Sequence, residues 1–226
     1  MSDIHKLRYR RDGLRPLNDT DMDRAVREEL DELDDFSAGC VVFREDDNHV
    51  LMLQPKTSKT DKLFWVFPKG HPDDSDESIV AAATRETVEE TGVKPSTVYD
   101  EDQIDVGYSF LKRLHKDKWL KHEFYPDESK RPILVTHKIV KYYLATATSE
   151  AARDISDGGT EEATAVKWIP IGEVLSNLEF EEQKKAFTHC LQCLRNKGQF
   201  AERSSMALND RSRRDYGDIT EGGGRT

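Results

Sequence analysis

The sequence predicts a layered domain of α+β or α/β/α type, a sheet with helices laid against it. Three observations carry that expectation: β-branched and aromatic runs bounded by turn residues recur between Ser37 and Ile171, a helix-period segment closed by Gly92 interrupts them, and a second helix-period segment follows the last run. Residues 1–35 are a charged N-terminal extension in which Met22, Val26 and Leu30 have the spacing of one amphipathic helix. SAGCVVFRED, from Ser37, turns polar at the Asp-Asp-Asn turn, and HVLMLQ reads as its hairpin partner. FWVFP, residues 64–68, reads as a short aromatic strand stopped by Pro68. Glu77 to Thr91 reads as a helix with Gly92 as its left-handed cap. VGYSFLKRL, ILVTHKIVKYYLATA and AVKWIPI are the later strands. A last helix starts near Glu179, with Phe180, Phe187, Leu191 and Leu194 at helical spacing and Gly198 after it. The domain is expected over residues 36–200. Residues 201–226, rich in Ser, Arg, Asp and Gly with almost nothing to bury, read as a disordered tail.

Composition narrows the class. Charged residues make up 35% of the 226 and the AVILMFWYC set 36%, with 44 acids against 34 bases and a formal charge of −10. That profile suits a globular domain with polar extensions. No window approaches the roughly 18 consecutive apolar residues of a membrane span. The first thirty residues are charged throughout and hold no stretch resembling a signal peptide, so a reducing cytoplasmic or nuclear address is expected. Three cysteines (Cys40, Cys190, Cys193) do not make a disulfide framework, and Cys190 and Cys193 fall inside a helix-like pattern with no second pair.

Chemistry concentrates in GHPDDSDESIVAAATRETVEETGV, residues 70–93. At about 100° per residue on a helix, Glu86, Glu89 and Glu90 share an arc of about 100°, while Val80, Ala81, Thr84, Val88 and Thr91 form a small, moderately apolar strip on the opposite side. Crowded carboxylates repel, so they need free solvation or a compensating cation. Acidic pairs on helices are ordinarily solvated surface. Here a Pro-Lys-Gly turn precedes the helix, Arg85 is placed to pair with Glu89 at i+4, and a glycine closes it. Oxygen-only ligands suit Mg²⁺ or Mn²⁺ rather than zinc.

This combination resembles the Nudix box, G-x5-E-x7-R-E-U-x-E-E-x-G-U with U aliphatic. Gly70, Glu77 and the run Arg85-Glu86-x-x-Glu89-Glu90-x-Gly92-Val93 match it; six residues separate Gly70 from Glu77 where the pattern has five, and Thr87 replaces an aliphatic residue. The resemblance implies a Nudix-type α/β/α sandwich with a mixed sheet, a single domain with flexible terminal extensions, and metal-dependent hydrolysis of a diphosphate linkage by attack of water on phosphorus. It implies Glu86, Glu89 and Glu90 as metal ligands, with the Gly70 carbonyl often a further one and a fourth acidic ligand on a loop before a late strand. Glu162, in GGTEEATAVKW, is the candidate for that loop. Glu86 and Glu90 are both candidates for the proton acceptor, and Arg85 for orienting the carboxylates.

Charge distribution bears on the substrate. Leu111 to Lys141 holds nine Lys and Arg against four acids, +5 net, so the remainder carries −15. A basic island in an acidic chain suits a small polyanionic substrate, with Lys112, Arg113 and Lys138 as contacts. Lys69, beside the Pro-Gly turn, is a candidate phosphate contact. SAGCVVF, Trp65 to His71, HKIVKYYLA and FEEQKKAFTHCLQCL are similar in wording to the diadenosine tetraphosphate hydrolases. The W-V-F-P-K-G stretch is also similar to the diphosphoinositol polyphosphate phosphohydrolases. Tyr108, Trp119, Tyr125 and Tyr142 are available to stack on a base, none of them assigned. A capped nucleic-acid end contains the same linkage, but the net charge and the lack of an RNA module argue against a nucleic-acid partner. A non-catalytic nucleotide- or partner-binding module of the same fold is the alternative of another class; its mark would be degenerate box carboxylates, and these are intact.

Overall fold

The computed structural model describes residues 14–46, 48–56, 63–115, 119–120, 123–148 and 160–198. In chain order these form α1 (Asp19–Arg27), β1 (Glu32–Arg44), β2 (His49–Pro55), β3 (Lys69–Gly70), α2 (Ile79–Thr91) and β4 (Thr97–Arg113). A small hairpin follows, β5 (Trp119–Leu120) with β6 (Glu123–Phe124), then β7 (Ile133–Ala147), β8 (Ala163–Pro170), α3 (Ile171–Asn177) and α4 (Glu181–Asn196). The expected tail, residues 201–226, lies outside the described residues.

The spine of the sheet joins strands far apart in sequence. β1 and β7 run parallel, in register from Glu32 opposite Val135 to Arg44 opposite Ala147. β4 flanks β7 and β2 flanks β1, both antiparallel, and β8 closes the order β4-β7-β1-β2-β8. The sheet is therefore mixed, and helices cover both faces, as a parallel pair requires. Alternation along β1 divides the core: Val41 and Phe43 point with Met52, Tyr142 and Leu144 to the layer of α3 and α4. Cys40 and Val42 point with Leu51, Tyr143 and Ala145 to the layer of α2, whose Ala82 and Ala83 are fully buried there.

Two expectations shift in detail. FWVFP is not a full strand: Val66 bridges Leu53 and Trp65 bridges Leu178, after which Pro68, having no N–H to give, hands the chain to the β3 pairing of Lys69 and Gly70 with Gly39 and Ala38. β1 also begins at Glu32, inside the charged extension, because the edge-to-edge pairing with β7 continues past the apolar run. Among the described residues no helix is long and apolar enough to cross a membrane.

Candidate metal centre and active site

The helix that carries the box is held by its own polar side chains. Ser78 caps α2, its Oγ accepting from the Ala81 N–H at 3.1 Å, and Gly92 ends it at φ 74°. The side that packs on the sheet is Ala82, Ala83, Glu86, Thr87 and Thr91 rather than the expected strip, of which Val88 is exposed; the threonines are satisfied within the helix, Thr84 Oγ1 donating to the Val80 carbonyl at 2.8 Å and Thr87 Oγ1 to the Ala83 carbonyl at 2.7 Å. Thr87 can thus stand fully buried where an aliphatic residue is usual.

Along the C-terminal half of this helix three carboxylates converge. Glu86, Glu90 and Glu162 each offer an oxygen, and the three oxygens lie within 4.8 Å of one another. Glu86 and Glu90 are a turn apart on α2, while Glu162 comes from the loop before β8, which Thr160 ties to the helix by donating to the Glu90 carbonyl at 2.9 Å. Burial raises the Glu86 carboxyl above its ordinary value despite the hydrogen bond and charge of Arg85. Burial pushes Glu90 up to about 7, against the pull of Lys69, whose backbone N–H donates to Glu90 Oε2 at 2.7 Å. Cation–oxygen distances of about 2.0–2.1 Å place opposite ligands roughly 4.2 Å apart, so this all-oxygen set fits a divalent ion. Gly70, the remaining expected ligand position, lies directly against Glu86.

Glu89 is elsewhere. It is exposed, and its Oε2 accepts from Arg85 Nη1 at 2.8 Å, the i+4 pairing expected from the sequence. Arg85 is a hub: the same Nη1 reaches Glu86 Oε1 at 2.8 Å, Nη2 donates to the His71 carbonyl at 2.9 Å, and Nε and Nη2 make a two-pronged contact with Asp76 at 3.1 and 2.9 Å. Asp76 thus braces the loop, while Glu77, the residue matched to the first glutamate of the pattern, is exposed. The signal was in the spacing: five residues separate Gly70 from Asp76.

The expected substrate contacts divide between two cavities. Lys69 lines one of about 400 Å³, walled by Phe64, Val66, Tyr108, Phe110, Tyr142 and Phe180. Lys112 and Arg113 line another, about 440 Å³, with Asp35, His71, His115 and Thr136. Arg113 also clamps its own loop, donating to the Arg131 carbonyl at 2.7 Å. Lys138 is buried rather than displayed: its Nζ donates to Asp35 Oδ2 at 3.0 Å, and Asp35 Oδ1 meets His71 Nε2 at 2.6 Å. Sequence reasoning had no means of finding Asp35, because its partners lie 36 and 103 residues away.

A mixed sheet between helices, with an Arg-braced carboxylate cluster built on the helix after β3, is the framework of a hydrolase of phosphoanhydrides. The chain belongs to the Nudix family: the NUDIX domain model matches residues 34–190, and the protein is a Nudix hydrolase acting on pyrophosphate bonds. Several solved structures are similar to it. One is the binary complex of a C. elegans Ap4A hydrolase, at 22% identity over 71% of this chain and 98% of that one, TM-score 0.50. Another is the NUDIX domain of Shewanella oneidensis NrtR complexed with ADP ribose, at 17% identity over 79% and 99%, TM-score 0.49. The E. coli dihydroneopterin triphosphate pyrophosphohydrolase matches at 21% over 67% and 91%, TM-score 0.40.

Proposed function

We propose that the chain hydrolyses dinucleoside polyphosphates of the diadenosine tetraphosphate type with Mg²⁺ or Mn²⁺ held by Glu86, Glu90 and Glu162. The observation that carries the substrate reading is the aromatic cavity that contains Lys69, the residue whose N–H holds Glu90. Tyr and Phe walls favour a planar base, and the lysine at the same cavity favours a phosphate. A divalent ion supplies charge neutralisation for phosphate oxygens and acidifies water. The protein's own residues do the remainder. Glu90, held at Oε2 by the Lys69 backbone N–H within the cluster, is placed to accept the proton of the attacking water, with Glu86 the other candidate. Arg85 keeps Glu86 and Glu89 oriented, and Lys69 offsets charge on the departing phosphate.

A second reading, a diphosphoinositol polyphosphate phosphohydrolase, draws support from the cavity lined by Lys112, Arg113, His115 and His71. Chromatographic product analysis with diadenosine tetraphosphate and a diphosphoinositol polyphosphate at equal concentration separates the two. Preferential release of ATP or ADP from the dinucleotide supports the first; preferential phosphate release from the inositol compound supports the second and sinks the first.

A further inference from the structure

The aromatic cavity has one wall that the family-matched residues do not supply. Arg15, nineteen positions before the matched segment begins, lines it together with Lys69, Tyr108, Glu182 and Gln183. The backbone that carries Arg15 is added to the free edge of the sheet. Its N–H donates to the Gly107 carbonyl at 3.0 Å, its carbonyl accepts from the Ser109 N–H at 2.8 Å, and it pairs in parallel with Tyr108 of β4. Two apolar anchors hold this strap. Leu14 fills the space above Gly107, where a Cβ would meet its Cδ2 at 2.1 Å, and Leu17 is buried with Ala25 and Val135.

The side chain is positioned as firmly as the backbone. Nε of Arg15 bonds Oε1 of Glu182 at 2.6 Å, and the guanidinium carbon lies 5.6 Å from the centre of the Tyr108 ring. Glu182 is only 4% exposed, so its charge is anchored, while the Arg15 side chain keeps 49% of its surface open. Among the described residues the two terminal nitrogens of Arg15 have no hydrogen-bonded partner. A planar cation, fixed by its inner nitrogen against an aromatic wall with its donors open, is suited to lie on a heteroaromatic ring and to donate to its acceptor atoms.

From this geometry we infer that Arg15 is a specificity-determining residue: the N-terminal strap completes the cavity, and its guanidinium holds the nucleobase end of the ligand, away from the carboxylate cluster. This rests on reading the aromatic cavity as the nucleotide site. It makes the segment before the matched domain part of the binding surface.

The test is calorimetric binding of ADP to the full chain, alongside steady-state hydrolysis of diadenosine tetraphosphate. Arg15→Ala is expected to weaken ADP binding about tenfold and to raise KM far more than it lowers kcat. Arg15→Lys keeps the charge beside Glu182 but loses the planar fork, and is expected to remain weakened. Gly107→Ala, whose Cβ would meet Leu14 first and the Lys138 carbonyl next, is expected to loosen the strap and give a KM-weighted loss as well. The double variant Arg15→Ala/Glu182→Gln separates binding from mere neutralisation of Glu182: continued weakness supports the inference, and full recovery of ADP affinity overturns it. Wild-type affinity in Arg15→Ala also overturns it while leaving the nucleotide reading intact. A wild-type chain that neither binds ADP nor cleaves the dinucleotide overturns both.

Discussion

Gly70 lies so close beneath Glu86 that a Cβ at position 70 would stand 1.8 Å from Oε2 of that carboxylate. Glycine is required here for room. Gly70→Ala must push Glu86 away from Glu90 and Glu162, so we expect kcat/KM to fall roughly 100-fold, the scale of an ångström-size misplacement, with a nearly unchanged melting temperature. Steady-state kinetics and a thermal melt on the same sample check this, and wild-type kinetics in the variant would contradict it.

The carboxylates should rank by position. Glu90→Gln and Glu162→Gln remove members of the converging trio, and chelation of divalent ions should abolish turnover in the wild type as well. For Glu90→Gln the expected loss in kcat is about 10²- to 10⁴-fold, the range for a displaced acid–base group. Glu89→Gln only loosens Arg85 and should cost about tenfold, as supporting contacts around a metal do. Metal-dependent turnover of the three variants, compared at saturating Mn²⁺, gives the order; Glu89→Gln proving the worst of them would reverse the assignment.

Asp76, not Glu77, should matter for the loop that enters α2. Its two contacts with Arg85 are charge-assisted, and Asp76→Ala is expected to cost about 1–3 kcal/mol. Glu77→Ala should leave denaturant midpoints where they are. Urea unfolding of both variants decides the matter, equal midpoints being the contrary result.

Lys138 gives a pH signature away from the carboxylate cluster. Burial holds its ammonium down to about 8 from an ordinary 10.5, although the charge of Asp35 partly restores it. Between those values the folded chain carries fewer protons at this site than the unfolded chain, so this group's contribution to stability rises with pH across that window. Asp35 behaves oppositely. Burial would raise it, but the His71 hydrogen bond and the Lys138 charge hold it well below the ordinary carboxylate range, so its contribution is present above about pH 3.8 and is lost as pH falls through its lowered value. Lysine side-chain NMR should find the Lys138 midpoint near 8 and lower still in Asp35→Asn; a wild-type midpoint near 10.5 would refute the burial argument.

Legibility in the sequence followed the range of the interactions. α2, its glycine cap and the Arg85–Glu89 pair are local, set by spacings of three and four residues, and the sequence displays them. β7 was legible to its ends, since Ile133 to Ala147 is one continuous strand-forming run. Glu162 was readable because two glycines and a strand bracket it. α3 was hidden: seven residues with Val174 as the one buried side chain leave no period to read. The basic island also misled in part, because Lys138 falls on an inward position of β7 and spends its charge on Asp35. Arg15 was invisible, since only the folded sheet edge brings it to Tyr108.

The parallel spine between β1 and β7 links residues about a hundred apart, and Glu162 lies beyond both strands. On the ribosome, Glu86 and Glu90 emerge after β1, on which their helix packs, but long before β7, the strand that β1 pairs with, and longer before the carboxylate that joins them. Domains dominated by such distant pairings assemble slowly and late. A chain cut before β8 would therefore carry an intact box motif without the third carboxylate of the cluster.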